Sequence, residues 1–572
     1  MNFFKFFALF FSVLLYGDLC ALNFIHVNQL GYYSGSKKIA IVSEMDAESF
    51  SVRMASTNQV VFSKRMEEPR MWTMSGENLQ FADFSSFKTP GRYYLQIGTE
   101  RSNPFTIGDT AVYDTLSMWA TKAFYLWRAS CPIESQFATF RGTDYAREMG
   151  HPDTVVYIHQ SVANEKRHAE SEVAAPKGWY DSGDYSKYVV NAAFTVAFMS
   201  MAYEVAPDYY KKLDLNIPES GNGVPDLLNE LKWELDWMLA MFDDTDGGVY
   251  FKLSSLRFSK MVMPNQDLMD RYMIGKSTSS ALGFAASMAM ASRLYAPYEE
   301  QFPGFSKKAL ACAKRAYAWA LANPNRRFEN PADVFTGTYS DEDFSDDFFM
   351  AAAQLFITTH EQKYYDDLKL VQSYGSPSWY NVNSVGLLEL AIHLDELPSF
   401  TDKVQIKKKA QALYDNIYKL YYYSVGRLPL KQFLWGSNGS VAVNGAILGV
   451  AYKMTGAEKY LEASQAALDY LLGRNSLDYC FVTRFGSKFP KKIHDRRSQS
   501  DNIRLPLPGY LVGGPSLDQP TDCGQTNYPS FIYPARAYLD DICSYSTNEI
   551  AINWNAPLVM LLGVLIDQSP KN

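Results

Sequence analysis

The stretch Asp226-Leu-Leu-Asn-Glu-Leu-Lys-Trp-Glu-Leu-Asp-Trp-Met-Leu239 sets Leu227, Leu231, Leu235, Met238 and Leu239 along one side of a helix and polar residues along the other. Four further stretches, Asn191 to Met201, Ala281 to Ala291, Val385 to Leu394 and Ala556 to Ile566, are apolar nearly all round. A helix apolar on one side can face water, whereas one apolar on every side has to be enclosed. About a dozen helices of these two kinds predict two concentric shells, an all-α (α/α)6 barrel, with an irregular helical array as the alternative.

The helical period starts after Asp109, so the barrel is expected over 109–572. Upstream, Lys38-Ile-Ala-Ile-Val42, Phe50-Ser-Val-Arg-Met54, Gln59-Val-Val-Phe62 and Arg92-Tyr-Tyr-Leu-Gln-Ile97 are short β-rich runs, and Thr89-Pro-Gly91 marks a turn. Some seven such strands over 22–108 predict an all-β immunoglobulin-like sandwich. Residues 1–21 read as a secretory signal peptide: Lys5 supplies the charge, Phe6 to Tyr16 the apolar run, and Ala21 follows a cleavable cluster. The chain is therefore expected to be multidomain, to span no membrane, and to be exported to the periplasm or outside the cell.

At 572 residues and 20% charged, with net charge −8, the composition is that of a folded protein. It offers no basic face for nucleic acid. A neutral polymer is the easier partner, and the 15% aromatic content suits one whose faces stack on rings. The chain is read as a monomer. Of the six cysteines only Cys20 falls in the leader, and no Cys-x-x-Cys spacing points to zinc. Cys523 and Cys543 share one loop-rich region and read equally as a disulfide or as two buried thiols; Cys312 reads as core.

Two segments carry chemistry. Gly178-Trp-Tyr-Asp-Ser-Gly-Asp-Tyr-Ser-Lys-Tyr188 and Ser544-Tyr-Ser-Thr-Asn-Glu-Ile-Ala-Ile-Asn-Trp-Asn555 each set acidic groups among aromatic rings. A pair of carboxylates is the minimum machinery for hydrolysing a glycosidic bond, one protonating the leaving oxygen and one activating water. Asp181 and Asp184 stand just before a long apolar helix, where they read either as site groups or as helix caps. Glu549 is a lone carboxylate leading into another apolar helix, a setting that raises a pKa. His494 and Arg496 are candidate cationic donors, or else part of a surface salt-bridge group. Asp243, Asp244 and Asp246 crowd one loop and read as solvated charge before they read as a structural calcium site.

At these residues the chain resembles glycoside hydrolase family 9, the inverting β-1,4-glucanases. That family carries a Trp-Tyr-Asp-Ala-Gly-Asp motif, a Phe-Gly…Pro…His-His-Arg motif and a terminal Asn-Glu-Val-Ala-Ile motif. Here stand Trp179-Tyr-Asp-Ser-Gly-Asp184, Phe485-Gly-Ser-Lys-Phe-Pro490 with His494 and Arg496, and Asn548-Glu-Ile-Ala-Ile552, in the same order. Ile217 to Asp226, Trp435 to Asn438, Leu472 to Asn475 and Leu511 to Pro515 look like family segments, and Val27 to Tyr32 looks like the opening of a preceding immunoglobulin-like module.

The resemblance implies that Asp184 is the general base, that Asp181 helps hold the water, and that Glu549 is the general acid. It implies sugar contacts for His494 and Arg496 and a supporting role at the sugar site for Asp540; Trp379, Trp435 and Tyr545 are candidate stacking platforms. It implies a β-1,4-glucan substrate and no required cofactor. Inversion asks for roughly 6.5–9.5 Å between the two carboxyl groups. Ser182 replaces the family's Ala, and Arg484, Ile493 and Asp495 also depart from its pattern, which puts the substrate range in doubt. An endoglucanase is expected first, an exo-acting cellodextrinase or cellobiohydrolase second, with the 498–530 segment able to close one end. A non-catalytic glucan-binding protein would be expected to lose a carboxylate, and all three are kept.

Overall fold

Residues 23–518, 522–524, 528 and 532–568 are described by a computed structural model; the expected leader at 1–21, Cys20 included, lies outside them. The helices alternate between two shells in chain order. Asp114–Trp127, Asp226–Ala240, Phe305–Ala322, Gln362–Asp366, Lys403–Tyr423 and Glu458–Leu471 form the outer layer. Val189–Val205, Thr278–Tyr295, Ser345–Thr359, Asn383–Ile392, Ser437–Thr455 and Ile552–Asp567 form the inner one and pack on one another, giving the (α/α)6 barrel.

Burial follows the apolar pattern. In Val189–Val205 every residue except Tyr203 and Glu204 is buried. In Lys403–Tyr423 only Ile406, Ala410, Leu413, Tyr414 and Ile417 are, a stripe at helical spacing. Each such side chain contributes roughly 1.5–3 kcal/mol on leaving water. The stripe expected in Asp226–Ala240 is buried at Leu227, Leu231, Leu235 and Met238, while Leu239 is only half-buried. Glu230 and Glu234 are buried there too: Glu230 pairs with Arg128 at 2.9 Å, and Glu234 accepts the Trp179 N–H at 2.6 Å.

The barrel also holds a five-stranded sheet that the sequence pattern does not announce. Its order is Glu172–Val173, Val156–Ile158, Tyr272–Lys276, Tyr250–Ser254, Lys187–Tyr188. These strands are two to five residues long and pair with partners far away in the chain, so 146–187 and 243–275 read as loops.

The N-terminal sandwich has a sheet ordered Ile25–His26, Ile39–Ser43, Glu77–Asp83, Arg70–Trp72. It faces a second, ordered Gly31–Tyr33, Phe105–Gly108, Gly91–Ile97, Ser49–Met54, Val60–Arg65, with Glu100–Arg101 pairing on Gly91–Ile97. The sandwich docks on the barrel through Asn28 and Gln29, both buried. Asn28 Nδ2 donates to Asp469 Oδ1 at 2.8 Å and to the Tyr113 hydroxyl at 3.2 Å, and the Gln29 N–H donates to the Leu472 carbonyl at 2.9 Å. Asn28→Ala strips a buried carboxylate of a donor, a loss of about 1–3 kcal/mol. Thermal denaturation should show a lower Tm for this variant, and an unchanged Tm would remove the contact from the docking account.

Candidate active site

Five loops, each leading into an inner helix, converge on one cleft. Asp181 and Asp184 precede Val189–Val205, Tyr339 precedes Ser345–Thr359, Trp379 precedes Asn383–Ile392, Trp435 precedes Ser437–Thr455 and Glu549 precedes Ile552–Asp567. The cleft encloses about 540 Å³ and is lined by Tyr339, Trp379, Tyr380, Trp435, Glu549 and Trp554 among others.

Neither aspartate caps the helix behind it, whose N-cap position is Tyr188. Asp184 Oδ1 accepts the Ser186 N–H at 2.6 Å, and its Oδ2 lies 3.2 Å from Ser182 Oγ. Asp181 is anchored at both oxygens, by Asn191 Nδ2 at 2.7 Å and by the Tyr339 hydroxyl at 2.6 Å. Burial, with the Asp184 charge adding to it, pushes Asp181 up to about 7. Gly183 has to be glycine, because a Cβ there would overlap the carbonyl oxygen of His494. That close approach lets Arg496 reach the Gly183 carbonyl through its backbone N–H at 3.0 Å and Nη1 at 3.1 Å.

Glu549 is held as an extended residue beside His494, and its carbonyl accepts the Gly513 N–H at 2.9 Å. Its Oε1 lies 3.2 Å from Ser182 Oγ. Asp184 Oδ2 and Glu549 Oε1 are therefore within twice 3.2 Å of each other, a bound on the nearest oxygens compatible with the expected separation of the whole carboxyl groups. Burial first, and then the Asp184 and Asp181 charges, push Glu549 up to about 8 against the pull of Arg496. At neutral pH it carries a proton to give.

The other expected residues fall into two groups. Trp435 is 41% exposed and stands 5.6 Å from Tyr545, which is 38% exposed and 5.8 Å from the His494 ring, so the three rings line one flank beside Glu549. Trp379, half-buried, meets Tyr339 edge-on at 5.0 Å across the cleft. His494 Nδ1 lies 2.6 Å from the Ile542 carbonyl, which can only accept, so Nδ1 bears the hydrogen. Burial lowers the pKa of His494. The ring is therefore neutral, with Nε2 as an acceptor, where a cationic donor was expected. Arg496 donates through Nη1 to the Gly183 carbonyl and through Nε to the Ser259 carbonyl, and lies 5.7 Å from the Phe258 ring. Asp540 accepts from the Lys491 and Lys492 N–H groups and from Asn548 Nδ2, supporting the loop that carries His494.

The departures in that loop mostly point inward. Asp495 and Ile493 are fully buried, and Asp495 pairs with Arg497 at 2.8 Å. Sequence reading missed Tyr339 and Lys252. Tyr339 carries no motif of its own, and Lys252 breaks an apolar strand, which was its one signal; its Nζ holds Asn330 Oδ1, Thr336 Oγ1 and the Gly337 carbonyl of the loop that carries Tyr339.

All three loop acids are ion-paired, Asp243 buried and Asp244 and Asp246 exposed as solvated charge is. Lys276 meets Asp243 at 2.7 Å and Asp246 at 2.9 Å, and Arg167 meets Asp244 at 2.9 Å. In a different cluster burial raises the pKa of three neighbouring carboxyl groups, Asp341, Asp346 and Asp347. Oxygens of Asp341, Asp346 and Asp347 lie within 4.8 Å of one another, and buried Asp347 Oδ2 has no partner. Crowded hard oxygens of this kind suit a calcium ion. Cys523 and Cys543 form a disulfide that ties down the segment before Tyr545. Of the 498–530 segment, Asp518 lines the cleft, while 519–521, 525–527 and 529–530 lie outside the described residues.

A sequence profile described as Glycosyl hydrolase family 9 matches residues 113–562, and one described as Cellulase N-terminal ig-like domain matches 22–102. The chain is 39% identical over 559 residues to a xyloglucan-specific endo-β-1,4-glucanase of Bacteroides ovatus, covering 95% of this chain and 93% of that one. It is 33% identical to Endoglucanase D of Acetivibrio thermocellus, over 87% of this chain and 76% of that one. A solved Bacteroides ovatus GH9 structure superposes with TM-score 0.88 and 37% identity, covering 96% of this chain and 99% of the other.

The raised pKa of Glu549 sets a limit on turnover. If its proton is the one delivered to the leaving group, activity is present below about pH 8 and falls as pH rises through that value. The kcat/KM profile should show its high-pH limb there; a limb near pH 5 would mean that another group supplies the proton.

Proposed function

Because the chain belongs to glycosyl hydrolase family 9, we propose that its cleft hydrolyses internal β-1,4-glucosidic bonds with the roles Asp184 base, Glu549 acid and Asp181 water-holder. The chain is a glycoside hydrolase, an endo-β-1,4-glucanase, and the endo reading is favoured over the exo one by the relatives it matches. The observation that supports the assignment of roles is that Glu549 lines the cleft beside Ser182 and Tyr339, whose hydroxyls lie 3.2 Å from Asp184 and 2.6 Å from Asp181, with the exposed Trp435 ring in the same lining.

In this reading the sugar before the cut stacks against the Trp435 and Tyr545 flank. A water held by Asp184 and Asp181 attacks the anomeric carbon while Asp184 accepts its proton. Glu549 passes its proton to the glycosidic oxygen as the bond breaks. Neutral His494 accepts from a sugar hydroxyl through Nε2. The chemistry needs no cofactor. A calcium ion held by Asp341, Asp346 and Asp347 would fix the segment that carries Tyr339, and through it Asp181. The domain division 22–108 and 109–572 follows the change from strands to helices. Export is supported by the leader-like 1–21 and by the Cys523–Cys543 disulfide, which suits an oxidising compartment. Among the described residues no helix is long and apolar enough to cross a membrane.

The relative that acts on xyloglucan makes a substituted β-1,4-glucan the first substrate to compare with carboxymethylcellulose. A rapid fall in viscosity with mixed oligosaccharide products is expected, together with the α-anomer as the first product signal in proton NMR. Release of one small product at nearly constant viscosity would overturn endo action, and a β-anomer would overturn the assignment of base and acid. Chelation with EDTA should lower Tm and activity together, with calcium restoring both; indifference to EDTA and to added calcium would remove the ion from this account.

A further inference from the structure

Ser182 is the position at which this chain departs from the Ala of its family inside the Asp-x-Gly-Asp motif, and that departure places a hydroxyl between the two reacting carboxyl groups. Ser182 Oγ lies 3.2 Å from Asp184 Oδ2 and 3.2 Å from Glu549 Oε1. The residue is buried, and its backbone is fixed by Trp127 Nε1, which donates to the Ser182 carbonyl at 3.2 Å.

A serine hydroxyl owns one proton and can accept as well as donate. Between two ionised carboxylates it satisfies one and leaves the other without a partner. Between one carboxylate and one carboxylic acid it satisfies both: the Glu549 O–H donates to Ser182 Oγ, and the Ser182 O–H donates to Asp184. We propose that Ser182 is a positioning residue that joins Asp184 and Glu549 into a unit holding a single proton, the state from which inverting hydrolysis starts. This rests on the roles assigned above to Asp184 and Glu549.

The other titratable groups facing the pair do not make this bridge. Asp181 and Tyr339 bond to each other, Tyr188 meets Asp184 only through its charge, Lys252 bonds to Asn330, Thr336 and Gly337, and His494 and Arg496 are held by backbone carbonyls. Burial and the Asp184 charge favour the neutral form of Glu549 without Ser182, whereas a Ser182 hydroxyl that donated to Glu549 would lower its proton affinity. The direction in which the Glu549 limb moves when the hydroxyl is removed therefore reports which way the hydroxyl points. Removing the hydroxyl takes two hydrogen bonds from the singly protonated pair and only one from the doubly ionised pair. The singly protonated state loses more, so Glu549 gives up its proton at lower pH.

Ser182→Ala tests this, because it removes one atom and restores the family's usual residue, so the fold is kept. The high-pH limb of kcat/KM should move down by roughly half a pH unit or more, the size of one net hydrogen bond. A limb that stays in place or moves up overturns the proposal. Glu549→Ala and Asp184→Ala run beside it separate the two layers. If either keeps full turnover, the assignment of roles fails; if both lose turnover while the Ser182→Ala profile matches the parent, only the inference about Ser182 fails.

Discussion

A helix such as Val189–Val205, buried on nearly every side, persists in water only when a second layer covers it. Six helices under that constraint share the barrel centre, and each must be reached by a segment crossing from the outer shell. Those crossings deliver the site. The residues just before five of the inner helices supply Asp181 and Asp184, Tyr339, Trp379, Trp435 and Glu549, so the rule that encloses the core also gathers the cleft at one end. The N-terminal ends of the same helices favour negative charge, which offsets part of the cost of holding carboxylates there.

Three carboxyl groups in one cavity repel one another, and the way that repulsion is resolved sets the chemistry. The nearby cations are committed elsewhere: Arg496 to the Gly183 and Ser259 carbonyls, and Lys252 to Asn330, Thr336 and Gly337. With no cation paired to it directly, and the pull of Arg496 outweighed by burial, a buried carboxyl group lowers its energy by keeping its proton. Glu549 does so most, up to about 8, and Asp181 follows, up to about 7. An Arg or Lys salt-bridged to Glu549 would make a more stable carboxylate and a poorer acid.

The fold was legible where physics acts locally. All-round apolar runs announced four of the six inner helices to within a few residues, though not Ser345–Thr359 or Ser437–Thr455, and short β-rich runs announced the sandwich. The five-stranded sheet in the barrel was not legible, because a strand as short as Lys187–Tyr188 gains its identity from a distant partner at Leu253 and Lys252. At the site, Asp181, Asp184 and Glu549 stood out as carboxylates among aromatic residues. Tyr339 did not, because one tyrosine among 39 has no signature until the fold brings its hydroxyl to Asp181. The tautomer of His494 was equally hidden, since it depends on a carbonyl 48 residues away.

The sandwich stands outside the cleft yet is joined to it by a continuous route of hydrogen bonds. Gln29 Oε1 accepts the Ser487 and Lys488 N–H groups, fixing the start of the segment that runs on to His494. Three residues past Lys488, Asp540 takes the Lys491 and Lys492 N–H groups, and its neighbour across the loop, Asn548, immediately precedes Glu549. His494 then pairs with Glu549 backbone to backbone, and Arg496 closes onto Gly183. The segment between Lys488 and Arg496 has little regular structure of its own to hold it, so its anchors have to come from outside. Gln29 is one of them, which makes the sandwich part of what positions the acid and not merely an attached module.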